Sequence, residues 1–397
     1  MSGDSVFVRA REKVSIADYL ERNNVKLARA GRDQRGPCIL CDGGTSKFRL
    51  MEGGEKFRCY GCDAHGDVVD LVARHRRAEP FDAARWLLGE DIPMSAPRER
   101  RPDVPKGESA SDRVAAEILA EAQPFAGTLG ERYLLGRGIA PGVAAAAGAD
   151  LRYHARAKHH WDDQARTWVC APAMVAPVVV AGPDGAPVRT GGVHVTYLDR
   201  ATAGKARLEP AKRMWGAQTL DGRPGGAWLH GPRDELVTNT QLVVAEGIET
   251  ALAFATLLHR KGVVARVCAA LSLSRLQGGW LRDADGCFDP RLAEPDPAAP
   301  AFVWPRPADD PWPVVWIAID RDMSEVRVRG RTGRGKPVDI RLTTEVRARV
   351  AARLATKAWR KTGEVEGIAL DVRSVLPPPG LDFNDELRRV LARERMA

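Results

Sequence analysis

Two closely spaced pairs of cysteines constrain this chain more than any other feature of its sequence. Cys38 and Cys41 form the first pair, Cys59 and Cys62 form the second, and seventeen residues lie between the pairs. Each C-x-x-C turn directs two thiolates toward one point, so two such turns complete the tetrahedral shell of a zinc ion. We therefore predict one structural Zn²⁺ per chain, held by these four cysteines. His65 lies close to Cys62, but four cysteines already fill the shell.

The composition is that of a globular protein with a modest basic excess. The 397 residues suffice for several domains, and the formal net charge of +8 permits a polyanionic partner without requiring one. No apolar run approaches the ~18–20 residues that cross a bilayer. The first residues contain no apolar signal core. We therefore expect a cytoplasmic protein without a membrane partner, in which paired cysteines bind metal rather than form disulfides.

The residue pattern changes along the chain and predicts four segments. Residues 1–90 combine the cysteine pairs with short alternating stretches, which favours a small antiparallel sheet closed by helices. Residues 91–112 are rich in proline and charge and are expected to form a linker. Residues 113–238 predict a basic α+β subdomain, and residues 239–397 alternate buried strands with helices, as a parallel α/β sheet does. A proline-rich stretch around 282–313 is expected to be a surface insertion.

Acidic side chains follow two of the predicted buried strands. Glu246 comes directly after the apolar run 242–245, and Asp320 and Asp322 come directly after the run 314–319. Carboxylates at the C-terminal ends of parallel strands project into the crevice where open α/β sheets bind ligands. Three carboxylates this close repel one another unless a cation neutralises them, and oxygen ligands suit Mg²⁺ or Mn²⁺. We therefore predict a catalytic metal site at Glu246, Asp320 and Asp322.

The cysteine region resembles the zinc-binding domain of DnaG-type DNA primases. The segments that carry this resemblance are Pro37–Cys41, Lys47–Leu50 and Phe57–Val72. Bacterial primases of this type usually have histidine at the position of Cys41, whereas related phage enzymes have four cysteines, so the chain is similar to a phage or mobile-element variant. In that family the ribbon helps to select the template initiation sequence.

The ribbon mixes basic and aromatic residues, as binding of a single strand requires. The basic residues are Lys47, Arg49, Lys56 and Arg58, and the aromatic ones are Phe48, Phe57 and Tyr60. The alternative interpretation is that the aromatic rings are the small core of the ribbon and the basic residues solvate its surface.

The later part of the chain resembles the Toprim domain of primases, topoisomerases and some nucleases. Its signature is a glutamate after one strand and D-x-D after another, carried here by Leu242–Thr250 and Val314–Asp322, and Gly380–Leu387 resembles a tail motif of phage-type Toprim domains. The resemblance implies catalytic and magnesium-binding roles for Glu246, Asp320 and Asp322. It makes further candidates of Glu249, Asp382 and Asp385. The glycine and helix that usually follow D-x-D are replaced here by Met323-Ser-Glu and a basic stretch.

The middle of the chain resembles the primase core that precedes Toprim. Glu131–Ile139 is similar to its opening motif, and residues 172–216 are similar to its basic subdomain. The resemblance implies that template and nucleotide phosphates contact four basic residues: Lys205, Arg207, Lys212 and Arg213. For any one of them an ordinary solvated loop is the alternative. Arg349, Arg353, Lys357 and Lys361 recur every four residues and would form a basic helix face, a further candidate for DNA contact.

Together these resemblances imply an α/β Toprim core, preceded by an α+β basic subdomain and a small antiparallel zinc ribbon. The implied activity is that of a DNA primase, a nucleotidyltransferase that makes short RNA primers from NTPs on a single-stranded DNA template with Mg²⁺. A Toprim-type nuclease and a non-catalytic single-stranded DNA-binding accessory protein of replication or of a mobile element are the alternatives. No motif for an NTP-driven motor is visible, so a separate replicative helicase is expected.

Overall fold

The computed structural model describes the chain except for residues 1–5, 31–32, 42–46, 52, 61, 63, 91–108, 163, 230–240, 264, 284–285, 305–313, 334, 366, 368–369 and 397. The chain divides into two units. The first consists of Met1–Lys106, Ser324–Val328 and Asp339–Thr343. The second consists of Gly107–Met323, Arg329–Val338 and Thr344–Ala397. Most of the predicted linker lies outside the described residues, and a helix begins within its last part, at Ala110.

The first unit is a small antiparallel sheet with helices around it. Its helices are α1 (Val6–Lys13), α2 (Ile16–Arg22), α3 (Val68–Arg76) and α4 (Pro80–Leu87), and its strands are β1 (Ala28–Ala30), β2 (Asp33–Gly36), β3 (Phe48–Leu50), β4 (Phe57–Cys59) and β5 (His65–Gly66). The strands follow in the order β1-β2-β3-β4-β5. Helix α3 begins after Asp67, whose carboxylate accepts hydrogen bonds from two first-turn N–H groups. The predicted antiparallel ribbon is confirmed.

Two stacked phenylalanine rings form the centre of this unit. The ring centroids of Phe48 and Phe57 lie 5.1 Å apart, and both residues are fully buried. Tyr60 is 49% exposed. The core interpretation therefore applies to Phe48 and Phe57, whereas Tyr60 lies on the surface, where a nucleic acid strand could reach it.

The second unit opens with an antiparallel sheet and three helices. The helices are α5 (Ala110–Glu121), α6 (Leu129–Gly136) and α7 (Pro141–Gly148), and the strands are β6 (Gln123–Pro124), β7 (Arg152–Asp162), β8 (Thr167–Ala181), β9 (Pro187–Tyr197), β10 (Lys212–Trp215), β11 (Thr219–Leu220), β12 (Arg223–Pro224) and β13 (Ala227–Trp228). The main sheet has the order β10-β9-β8-β7-β6. Its strands pair antiparallel, as the α+β pattern predicts.

A parallel sheet follows. Its elements and their neighbours are β14 (Gln241–Ala245), α8 (Ile248–His259), β15 (Ala265–Ala269), α9 (Leu273–Gln277), β16 (Gly279–Trp280), β17 (Pro295–Asp296), β18 (Val315–Ala318), β19 (Val326–Arg331), β20 (Pro337–Leu342), α10 (Thr344–Val365), β21 (Val372–Val375) and α11 (Phe383–Met396). The sheet order is β13-β15-β14-β18-β21. Strands β15, β14, β18 and β21 run parallel, and β13 pairs antiparallel at one edge.

Helices cover both faces of this sheet. Successive residues of a strand point to opposite faces, so alternate residues of β14 pack against different helices. Val243 and Ala245 pack in one hydrophobic cluster with Leu252 of α8. Leu242 and Val244 pack in a second cluster that includes residues of α10. Strands buried on both faces read as continuous apolar runs, which is why the sequence predicts a parallel sheet here.

The proline-rich stretch is only partly a surface insertion, because residues 291–292 and 297–300 are exposed but its last described residues are buried. Phe302 and Trp304 are each 1% exposed and belong to the cluster on the α10 side of the sheet. The ring of Trp304 stacks on Trp228 with centroids 4.7 Å apart. The prediction is wrong for Phe302 and Trp304, because large aromatic side chains can bury much apolar area in a segment whose composition is that of a loop.

No helix in the described part of the chain is both long and apolar enough to span a membrane.

Candidate functional site

The four predicted zinc ligands come together in the first unit. Their sulfur atoms all lie within 4.8 Å of one another. The Sγ atoms of Cys38 and Cys62 are 3.9 Å apart, and those of Cys41 and Cys59 are 3.7 Å apart. Four sulfurs at Zn–S distances of 2.3 Å around one ion would be about 3.8 Å apart, whereas a disulfide needs about 2.05 Å. The geometry therefore fits a structural zinc, and the prediction of this cofactor is confirmed.

Basic residues form a row across the sheet of the ribbon. Arg35, Arg49, Arg58 and His65 are successive cross-strand partners in β2, β3, β4 and β5. Arg49 pairs with Asp33 and donates to the Tyr60 hydroxyl at 3.1 Å. Lys47 and Lys56 are exposed. Like charges placed opposite one another across strands repel, so such a row favours an anionic partner.

The predicted catalytic carboxylates lie at one edge of the parallel sheet. Ala245 of β14 and Ala318 of β18 are register partners, so Glu246 and Asp320 follow neighbouring strands at their C-terminal ends. The hydroxyl of Thr250 donates to Asp320 Oδ2 at 2.8 Å, and the backbone N–H of Phe383 donates to Oδ1 at 3.1 Å. These two bonds fix the orientation of the Asp320 carboxylate.

Neighbouring carboxylates surround Asp320. Burial and, to a smaller extent, the charges of Asp382 and Asp322 raise the pKa of Asp320 to about 7, although its two hydrogen bonds lower it. Partial desolvation raises the pKa of Asp322, and Asp382 and Asp385 add to this rise. The loop before α11 is ordered by the Asp385 N–H, which donates to Asp382 Oδ1 at 2.7 Å.

The acidic groups approach one another less closely than the cysteines do. Within the described part of the chain, the cysteine set is the one group of three or more metal-ligating side chains whose ligand atoms all lie within 4.8 Å of one another. Glu246, Asp320 and Asp322 therefore follow neighbouring strands without forming a group as compact as the cysteines.

Glu249 has a different environment from these acids. The residue is 3% exposed. Its Oε1 accepts a hydrogen bond of 2.7 Å from the Tyr133 hydroxyl and lies 3.7 Å from Lys205 Nζ, and its Oε2 accepts a bond of 2.7 Å from Lys212 Nζ. Burial alone would raise the pKa of Glu249, but the two ammonium groups lower it well below its usual range.

Two of the four predicted phosphate contacts lie together, and the other two lie elsewhere. Lys205 and Lys212 meet at Glu249, and their side chains are 39% and 32% exposed. Arg213 follows Lys212 in β10 and so points to the other face of the sheet, where its guanidinium lies 5.6 Å from the ring centroid of Trp215. Arg207 is exposed outside this cluster.

The predicted basic face of α10 contacts the chain's own backbone. Arg353 donates to the carbonyl of Arg291 at 2.9 Å, and Lys357 donates to that of Leu292 at 2.7 Å and pairs with Glu294. These two side chains therefore attach the segment of Phe302 and Trp304 to the helix, which makes them poor candidates for DNA contact.

Sequence reasoning missed three side chains that shape this region. Tyr133 and Thr250 hold the carboxylates of Glu249 and Asp320, and Arg137 donates to Asn384 Oδ1 at 3.1 Å. Tyr133 and Arg137 belong to the stretch 131–139, and Thr250 directly follows Glu249, so the motifs contained these residues without indicating their contacts.

Two family models match the chain. Residues 4–100 match the CHC2 zinc finger, and residues 109–223 match a domain of unknown function, DUF7146. The first match lies on the ribbon that holds the four cysteines.

The curated relatives are DNA primases. That of Myxococcus xanthus is 26% identical over 299 residues, which cover 68% of this chain and 46% of the relative. That of Haemophilus influenzae is 26% identical over 140 residues, which cover 33% of this chain and 23% of the relative. The chain thus spans less than half the length of these curated relatives. Among solved structures, the zinc-binding and RNA polymerase domains of the Aquifex aeolicus primase are 16% identical with a TM-score of 0.34, covering 99% of this chain and 84% of that one. That score is too low to carry an argument about the fold.

Proposed function

Because this chain is a relative of the DnaG-type DNA primases, we propose that it makes short RNA primers on a single-stranded DNA template by Mg²⁺-dependent nucleotidyl transfer. In this proposal residues 1–90 are the template-binding zinc ribbon, residues 113–238 are the basic subdomain, and residues 239–397 are a Toprim catalytic domain. The substrates are NTPs, and a separate helicase supplies the single strand.

The observation that carries the proposal is the buried carboxylate of Asp320 at the C-terminal end of β18, next to Asp322 and Asp382. Burial that raises the pKa of an acid to about 7 opposes the ionised form. A divalent cation among these oxygens would reverse that penalty, and carboxylate oxygens are the ligands that Mg²⁺ prefers. Asp320, Asp322 and Glu246 would hold it, with Asp382 and Asp385 beside them.

The reaction joins two nucleotides. The 3′-hydroxyl oxygen of one forms a bond to the α-phosphorus of an NTP, the bond from that phosphorus to the β-phosphate breaks, and pyrophosphate leaves. A Mg²⁺ ion held by Asp320, Asp322 and Glu246 would supply Lewis-acid chemistry, polarising the phosphate and offsetting charge on the leaving group.

The chain's own residues supply orientation and charge. Thr250 and the Phe383 N–H fix the Asp320 carboxylate, and Lys205 and Lys212 attract phosphates. Glu246 acts as a further ligand or accepts the proton of the 3′-hydroxyl.

One assay tests the proposal. The protein is incubated with a single-stranded DNA template, labelled NTPs and Mg²⁺, and short RNA products are expected. Asp320→Asn is expected to abolish them. Asp371→Asn is the matched control, because Asp371 pairs with Arg373 on the surface at the other end of the same sheet. Shortening of the template would indicate a nuclease, and binding without chemistry would indicate an accessory protein; either result contradicts the proposal.

A further inference from the structure

Protein groups contact both oxygens of the buried Glu249 carboxylate. One oxygen accepts from the Tyr133 hydroxyl and lies near Lys205, the other accepts from Lys212, and the residue is 3% exposed. A metal ligand needs a lone pair directed at an accessible site. Glu249 is therefore a poorer candidate for a metal ligand than Asp320, although both residues follow strands of the same sheet.

The two lysines depend on this buried carboxylate. Burial lowers the pKa of Lys205, the Glu249 carboxylate raises it, and the positive charges of Lys212 and Arg137 lower it further. Two ammonium groups that share one carboxylate would otherwise repel each other and turn toward solvent. His194 does not serve as an additional charge in this cluster, because burial and Lys212 lower its pKa to about 3.

The lysines also remain accessible to a ligand. About a third of each side chain is exposed, and an ammonium group carries three N–H donors. An anion that binds here meets two cations whose positions are already fixed, so it need not order two long, flexible side chains.

We propose that Glu249 is a positioning residue that fixes Lys205 and Lys212 as a binding site for the polyphosphate group of a nucleotide. This inference rests on the proposed function, since it names how the nucleotide is held. It replaces the metal-binding role that the sequence motif implies for Glu249. The same ion pair connects β10 of the antiparallel sheet to α8 of the parallel sheet, because Lys212 lies in β10 and Glu249 lies in α8.

A positioning role for Glu249 and general electrostatics predict opposite effects of its removal on anion binding. Removing an acid from the surroundings of an anion site should strengthen anion binding by general electrostatics. If Glu249 positions the lysines, Glu249→Gln should instead weaken binding by about tenfold, as the loss of one buried partner leaves the other group misplaced.

Equilibrium binding of inorganic triphosphate, measured by calorimetry with and without Mg²⁺, tests this. Glu117→Gln is the matched control, because it breaks a Glu–Lys pair with Lys158 in the same unit and changes the charge equally. We expect Glu249→Gln to bind triphosphate about tenfold more weakly and Glu117→Gln to bind it as the wild type does. Wild-type or tighter binding by Glu249→Gln would overturn the inference.

A double variant tests whether Glu249 acts through Lys212. In a Lys212→Met background, Glu249→Gln should produce a further loss of triphosphate affinity well below tenfold, since only Lys205 then remains for Glu249 to position. A further tenfold loss would refute this route. If Glu249→Gln does not fold, Tyr133→Phe replaces it: the ring stays, one hydrogen bond to Glu249 is lost, and a smaller weakening in the same direction is expected. Unchanged binding by Tyr133→Phe would then count against the inference.

Primer synthesis separates the positioning role from a metal-binding one. In Glu249→Gln the KM for NTP should rise while the Mg²⁺ concentration for half-maximal activity stays the same. A higher Mg²⁺ requirement would restore the metal-ligand interpretation. Triphosphate binding does not need primer synthesis, so a wild-type protein that binds triphosphate but makes no RNA would contradict the proposed function alone.

Discussion

Replacing Asp320 with asparagine should stabilise the folded protein at pH 8 while it removes activity. The pKa of this carboxyl rises from 3.8 to about 7 on folding because the group is buried. An acid whose pKa is raised in the folded state favours the unfolded state at high pH, since the unfolded state ionises first. The penalty is absent below about pH 4, grows between pH 4 and 7, and is constant above pH 7.

The size of the effect follows from the shift. Each pKa unit corresponds to about 1.4 kcal/mol, so the penalty is at most about 4 kcal/mol at pH 8 and about 1.6 kcal/mol at pH 5. Asparagine removes the charge but cannot accept hydrogen bonds from both Thr250 and the Phe383 N–H, which costs about 1–3 kcal/mol at either pH. The difference between the two pH values, about 2–3 kcal/mol, is therefore independent of the lost hydrogen bond.

Urea unfolding of Asp320→Asn and wild type in Mg²⁺-free buffer at pH 5 and pH 8 measures this difference. Fluorescence of the buried Trp304 and Trp359 follows the second unit. The stability of the variant relative to wild type should increase from pH 5 to pH 8, and Asp371→Asn should show no such change. Added Mg²⁺ should stabilise the wild type more than the variant. A pH-independent difference would show that the Asp320 carboxyl is not destabilised by burial, and the argument for a cation site would fail with it.

Three further predictions concern other parts of the chain. Purified protein should contain about one zinc per chain, and Cys59→Ser should lose it and the amide protection of β3 and β4, as hydrogen exchange would show. Trp304→Ala should lower the free energy of unfolding of the second unit by about 3–5 kcal/mol, whereas near-wild-type denaturation curves would mean that the ring is not in the core. Lys357→Gln should lower it by about 1 kcal/mol and leave the affinity for single-stranded DNA unchanged in a fluorescence anisotropy titration; weaker binding would restore the DNA-contact role of this helix face.

The features that the sequence predicts correctly are those that depend on local spacing. The two C-x-x-C turns lie in short loops, so the positions of their sulfurs are largely determined by a few residues each. The parallel sheet is equally visible, because its strands are apolar on both faces. The placement of Asp320 at the strand end follows from that periodicity.

The features that the sequence does not predict depend on contacts between distant residues. Periodicity gives no information on which side chain fills the space beside a sheet, so Phe302 and Trp304 are not recognisable as core within a proline-rich segment. The basic residues of α10 show the same limit. Their spacing indicates a shared helix face, but the partner of that face is a backbone segment more than sixty residues earlier in the chain.

Glu249 and Thr250 show how helix geometry can change the role that a motif suggests. The two residues are adjacent in the first turn of α8, and consecutive helical residues are rotated by about 100° around the helix axis. Thr250 consequently reaches Asp320, while Glu249 reaches Tyr133 and Lys212. The acid of the motif faces away from the acidic edge, and a hydroxyl takes the place beside it. A carboxylate directed at Asp320 would add negative charge to a site that already holds several acids. Directed at the lysines, the same carboxylate neutralises positive charge. The rotation between consecutive helical residues therefore places the Glu249 carboxylate and the Thr250 hydroxyl where electrostatics favours each.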